Sequence, residues 1–186
     1  SWTQRFGSAV RRCVNYFRIG AWRLHLPILA LGLPPGLRVL VTSLPLVGAA
    51  TTVISTGYQL AFADVDCDAW VLTPSIALAV REKFHFDAVI PVASYGNPIN
   101  ITGWERFQRD SACRVVIDAA GAFGNQSLSD AFTVVFSLHA TKSFGVGEGG
   151  FVASLCEEKI HHIRCLSNYG ISQLDGQISQ PGFNSK

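Results

Sequence analysis

From Arg38 onward the chain alternates short apolar runs with amphipathic stretches. VLVTS (39–43), LAFAD (60–64), DAVIPV (87–92), RVVID (114–118) and FTVVFS (132–137) are each five or six residues long and rich in Val, Ile and Phe. Each is predicted to be a strand. FVAS (151–154) predicts one more. Between them lie helical signals. Thr73-Pro74 opens a helix through Ile76, Leu78 and Val80, and Thr102 to Asp110 carries Trp104 and Phe107 three apart. Strand, helix, strand at this spacing means crossover units, and the predicted fold is α/β: a three-layer α/β/α arrangement around a mostly parallel sheet. The first 29 residues show no clean period, and Ser172 to Lys186 is mostly polar.

An uncharged run from Val39 to Ala63 is long enough to cross a bilayer as one helix. It holds Pro45, Gly48, Gly57 and six Ser or Thr residues, so the better expectation is a strand, a turn and a buried helix, with no membrane span. Composition agrees with a folded domain: 48% of the 186 residues are apolar and 15% charged, too apolar for a disordered tail. The 15 basic and 13 acidic side chains nearly cancel, which leaves no field that singles out nucleic acid or an anionic membrane. The five cysteines, odd in number and scattered, argue against a disulfide framework. With no signal-peptide pattern at the N-terminus, the expected compartment is the cytoplasm. The chain starts at Ser1 and has no methionine, which predicts a piece of a longer product.

Several motifs dissolve on inspection. Gly145, Gly147 and Gly150 have G-x-G-x-x-G spacing, but they precede a strand where a dinucleotide fingerprint follows one, so they predict a tight turn. Asp64, Asp66 and Asp68 begin like a calcium loop, yet Ala69 replaces its glycine and Ser75 its closing glutamate. His161 and His162 are adjacent and point apart on a helix, which excludes a shared metal. The sequons at Asn100 and Asn125 carry no weight without secretion, and no G-x-S-x-G elbow is present. No metal site is expected.

In a parallel sheet, ligands sit outside the carboxyl ends of the strands, so polar residues ending apolar runs are the first candidates. Asp118 ends RVVID, Ser137 ends FTVVFS, and Lys142 follows five residues later beside a glycine turn. An amine on a short loop at that edge can form an imine with an aldehyde, and pyridoxal 5'-phosphate is the cofactor that uses a protein lysine in this way. A buried acid beside the ring nitrogen would keep the pyridine protonated, and a serine hydroxyl would bind the phosphate. Taken singly, such an aspartate is more often a cap and such a lysine solvated. Their coincidence carries the reading.

DAAGAFG (118–124) and FSLHATKSFGVGEGGFVAS (136–154) resemble the DegT/DnrJ/StrS aminotransferases, the sugar-aminotransferase branch of the fold-type I pyridoxal phosphate enzymes. ALGLPPG (30–36), FADVD (62–66), VIPVASYGNP (89–98), NYGI and PGFN extend the likeness over about residues 19 to 186. The resemblance implies an aspartate aminotransferase-like large domain over 19–186, incomplete and lacking a small C-terminal domain, with 1–18 unmatched. It also implies Lys142 as the Schiff-base lysine, Asp118 as the pyridinium partner, Ser137 as a phosphate ligand, and Asn184 reaching the cofactor phosphate of a neighbouring subunit. His139 stands where the family often has a histidine or an aromatic, and either a site or a packing role fits it. The implied activity is transfer of an amino group, from glutamate, to a keto-sugar nucleotide in amino-sugar synthesis, by a homodimer with a shared site.

Departures from the family pattern are as informative. Gly121 stands where a Gln or His usually touches the cofactor, and Leu46 where an aromatic commonly covers the ring. Ile19-Gly20-Ala21 replaces the S-G-T phosphate cradle, so Gly20 and Ala21 would bind through backbone amides alone. These changes predict weak cofactor binding or none in the chain by itself. They keep open a non-catalytic paralogue or a regulatory module on the same fold; the family's dehydrating relatives tend to carry histidine where Lys142 stands.

Overall fold

In the computed structural model the described residues are 14–17, 22–44, 47–172, 174–178 and 180–185. The elements run β1 (Val14–Phe17), α1 (Trp22–Leu29), β2 (Arg38–Thr42), α2 (Val47–Ser55), β3 (Gln59–Ala63), α3 (Pro74–Arg81), β4 (Ala88–Ile90), α4 (Ile101–Ser111), β5 (Arg114–Asp118), β6 (Thr133–Ser137), β7 (Gly150–Ala153) and α5 (Glu157–Leu166). Seven strands form one sheet in the order β1-β7-β6-β5-β4-β2-β3. All neighbours are parallel except β7, which runs antiparallel to both β6 and β1.

The strands lack polar alternation because both faces are covered. Leu40, Val89, Val115, Ile117 and Val134 face one core with Trp104 and Phe107 of α4 and Ala77 of α3. Val39, Val41, Ala88, Ile90, Val116 and Val135 face the other, under Leu24, Leu26 and Ile28 of α1, Val53 of α2, and Ile160 and Ile163 of α5. The expected three layers are present, and the predicted strands are observed within a residue or two. The predicted strand at 87–92 is a continuous strand only over Ala88–Ile90, because Pro91 has no amide hydrogen for the ladder; Val92 beyond it still bridges Asp118.

Helix starts follow local chemistry. Thr73 Oγ1 accepts the Ile76 amide at 3.3 Å with Pro74 in the first turn, and Asn100 Oδ1 accepts the Gly103 amide at 3.2 Å. The sequon asparagine at 100 is thus a helix cap. The uncharged run 39–63 comprises β2, α2 and β3, and no helix among the described residues is long and apolar enough to cross a membrane. α1 was not foreseen. Leu24, Leu26 and Ile28 alternate as a strand would, and Pro27 lies inside the helix. Leu24, Leu26, Pro27 and Ile28 are all buried, and their packing under the sheet holds the helix.

Of the cysteines, Cys67 is exposed and Cys113 buried, both free. Burial pushes the Cys113 thiol up to about 12, so it holds almost no thiolate at pH 8. In the native chain at pH 8, iodoacetamide followed by peptide mass mapping should label Cys67 and spare Cys113. Equal labelling would contradict the packing described.

Candidate functional site

The sheet reverses its winding between β2 and β4, since β2 leads outward to β3 while β4 leads to β5 and β6 on the other side. Ligands bind at such switch points, outside the carboxyl ends. A cavity of about 170 Å3 lies there. It is lined by Leu44 after β2, Val92 to Tyr95 after β4, Ala120 and Gly121 after β5, and Lys142 after β6. Two larger hollows, of about 280 and 490 Å3, share Arg114 and Ala131 and lie at the amino ends of β5 and β6. They contain none of the residues the sequence singled out, so the smaller cavity is the candidate.

Asp118 ends β5 at 1% exposure, and its Oδ1 accepts the Ala120 amide at 3.0 Å. Ser137 ends the adjacent β6, also at 1% exposure, and its Oγ accepts the His139 amide at 3.3 Å. Val116 and Val135 face the α1 side of the sheet. Side chains alternate along a strand, so Asp118 and Ser137, two residues on, face that side too. Phe17 pairs with Gly150, which pairs with Ser137. β1 therefore ends at this same edge, just before the segment that leads to α1.

Lys142 sits in the loop between β6 and β7. The loop is closed by its own backbone: Val146 donates to Leu138 O at 2.9 Å, Ala140 to Gly147 O at 2.7 Å and Lys142 to His139 O at 2.9 Å. Gly145 makes closure possible, because a Cβ there would lie 2.6 Å from Ala140 O. Phe144 stacks on Phe123 at 5.1 Å between centroids, and Phe123 meets Phe136 and Phe151 edge-on. One aromatic cluster therefore ties the Lys142 loop to the loop that follows Asp118. The predicted tight turn at Gly145 to Gly150 is this closure.

His139 turns toward its own loop. Its Nδ1 accepts the Thr141 amide at 3.2 Å, which assigns the proton to Nε2, 3.4 Å from Glu148 Oε1. It does not line the cavity. Asn184 is exposed and paired with Asn168 beyond α5, also away from the cavity. Ile19, Gly20, Ala21 and Leu46 lie outside the described residues. Asp66 Oδ1 accepts the amides of Asp68 and Ala69 in a simple turn, and no group of three or more acidic, His or Cys side chains among the described residues could hold a metal.

Two residues escaped the sequence reading. Gln126 is buried and clips the chain at Ile99, accepting its amide at 2.7 Å and donating to its carbonyl at 3.1 Å, which fixes the approach to α4. Ser94 lines the cavity and could have been found by the rule that found Asp118, since it follows an apolar run.

The chain belongs to the DegT/DnrJ/EryC1/StrS aminotransferase family, whose profile matches residues 18–186. Protein Rv3402c of Mycobacterium tuberculosis is 32% identical over 160 residues, covering 80% of this chain and 38% of that protein. Among solved structures, S. venezuelae DesV in complex with a ketimine intermediate is 26% identical with a TM-score of 0.81, covering all of this chain and 53% of its own. DesI, solved in the presence of its TDP-sugar product, is 26% identical with a TM-score of 0.81 and is covered to 47%. The chain thus spans about half the length of these structures, and its fold is that of the fold-type I pyridoxal phosphate-dependent transferases.

Gly145→Ala should cost about 1–3 kcal/mol, since the clash is with backbone and cannot be relieved by a rotamer. Thermal unfolding would show this as a Tm several degrees lower. An unchanged Tm would mean the Lys142 loop does not close through Ala140 and Gly145.

Proposed function

We propose that residues 19–186 are the cofactor-binding large domain of a pyridoxal phosphate-dependent aminotransferase that moves an amino group from glutamate to a keto-sugar nucleotide. The observation that carries this reading is that Lys142 lines the switch-point cavity while the buried strand ends Asp118 and Ser137 stand at the same edge of the sheet. A primary amine in the cavity, beside strand ends that carry a carboxylate and a hydroxyl, suits a flat aldehyde-bearing pyridine with polar substituents. The donor set therefore fits the cofactor.

When bound, pyridoxal phosphate supplies an aldehyde for the amine and a protonated ring that draws electrons from the substrate's alpha carbon. With the cofactor bound, Lys142 Nζ would anchor it through the aldehyde and would serve as the group that moves a proton at the substrate's alpha carbon. Asp118 would accept a hydrogen bond from the ring nitrogen and keep that proton in place. Its fixed position comes from the Ala120 amide and from a strand buried on both faces. Ser137 would donate its hydroxyl to the phosphate; Gly20 and Ala21, assigned to the same task from the sequence, lie outside the described residues. His139, tied to Thr141 and Glu148, holds the loop rather than the cofactor.

Asn184 is exposed and remote from this chain's own cavity, which supports its reaching the phosphate of a second subunit and a homodimer with shared sites. DesI, solved with a TDP-sugar product, supports the sugar-nucleotide substrate. The cytoplasm, where amino-sugar precursors and glutamate meet, is the proposed compartment.

Adding pyridoxal phosphate to a full-length version of the protein should give a visible absorbance band that Lys142→Ala abolishes. Asp118→Ala should raise the cofactor Kd roughly 10- to 100-fold, as expected for losing a charge-assisted hydrogen bond of about 1.5–3 kcal/mol. No band in the full-length version would contradict the proposal and favour a non-catalytic module on this fold.

A further inference from the structure

We propose that Ser94 contacts the cofactor directly in this protein, donating its hydroxyl to the ring oxygen that neighbours the aldehyde carbon. This inference rests on the pyridoxal phosphate reading above and assigns a residue that reading does not need.

Ser94 is 7% exposed and its Oγ has no hydrogen-bond partner among the described residues. A buried hydroxyl left unpaired is costly, and such groups in a folded protein call for an explanation. This one lines the same cavity as Lys142 and Gly121, so a ligand in that cavity could satisfy it.

The segment that carries Ser94 is fixed relative to the rest of the site. The Ala93 amide donates to the carbonyl of Asp118 at 2.8 Å, and the Ser94 amide donates to Val92 O at 2.9 Å. Tyr95 takes a positive φ of 53°, so the chain turns sharply just after the serine. Gly96 then lies against Gly121. A Cβ at position 96 would stand 3.0 Å from Gly121 O, and one at position 121 would stand 3.3 Å from Gly96 N. The bare backbone at 121 thus does two things: it leaves that wall of the cavity without a polar side chain, and it lets the Ser94 segment close onto the loop after Asp118.

The chemistry selects the acceptor. In the reading above the aldehyde carbon would go to Lys142, the ring nitrogen to Asp118 and the phosphate to Ser137. None of these three roles takes the ring's phenolic oxygen, which is attached beside the carbon that Lys142 would take. A hydroxyl donating to that oxygen draws charge from it. The oxygen then holds less tightly the proton it shares with the Lys142 nitrogen, so the visible band should change form at a lower pH than it would without the serine.

The test is a pH titration of the visible band, with cofactor Kd measured by fluorescence quenching, in a full-length version of the protein as wild type, Ser94→Ala and Ser94→Thr. Ser94→Ala should move the titration midpoint up by about 0.5–1 pH unit and raise Kd roughly three- to tenfold, the effect of losing one ordinary hydrogen bond. Ser94→Thr keeps the hydroxyl and should stay near wild type in both. If Ser94→Ala shows the band with an unchanged midpoint and Kd, the Ser94 assignment is wrong while the aminotransferase reading stands. If the full-length wild type gives no band, the reading itself fails and this assignment falls with it.

Discussion

The site depends on Phe123. Its ring stacks on Phe144 and meets Phe136 and Phe151 edge-on, while Phe136 and Phe151 stack at 4.8 Å across the antiparallel pair β6 and β7. Phe123 follows Asp118 by five residues and Phe144 follows Lys142 by two. The cluster therefore couples the loop of the acid to the loop of the amine through a shared apolar contact. Each offset or edge-on aromatic pair adds about 0.5–1.5 kcal/mol beyond the area it buries. That is enough to hold a loop whose own hydrogen bonds are few and whose outer face is solvent.

The rest of the constraint is backbone. The carbonyl of Asp118 accepts the Ala93 amide, and Gly96 rests on Gly121, so the segments after β4 and β5 move as one. Gln126 clips Ile99 as a strand neighbour would, which locks the far side of the same segment. Around a cavity of about 170 Å3, then, the walls are supplied by four strand ends, and three of those ends are tied directly to one another. A sheet buried on both faces supplies the rigid edge from which they project.

Much of this was legible in the sequence, for identifiable reasons. Doubly covered strands read as apolar runs, so Val39 to Val41 and Val115 to Ile117 were found where they lie. Thr73-Pro74 and Asn100 announced two helices by their capping chemistry. Asp118, Ser137 and Lys142 were found because polar residues at strand ends are conspicuous after an apolar run. α1 was hidden because Leu24, Leu26 and Ile28 alternate as a strand would and the helix contains Pro27. β1 was hidden by its brevity. Ser94 also follows an apolar run, but what marks it, a hydroxyl with no partner among the described residues, is a property of three-dimensional surroundings. The same is true of the Gly96–Gly121 approach, which turns an apparent loss at position 121 into a different shape of wall.

The most direct test of the coupling is amide hydrogen exchange in Phe144→Ala. This ring is 54% exposed, so its removal should spare the fold and free only the loop. The account predicts faster exchange at Ala140, Lys142 and Val146, whose amides bond within that loop, with Val134 and Val135 in β6 unchanged. Unaltered exchange at the three loop amides would contradict it, and would mean the amine is held in place by something other than the aromatic cluster.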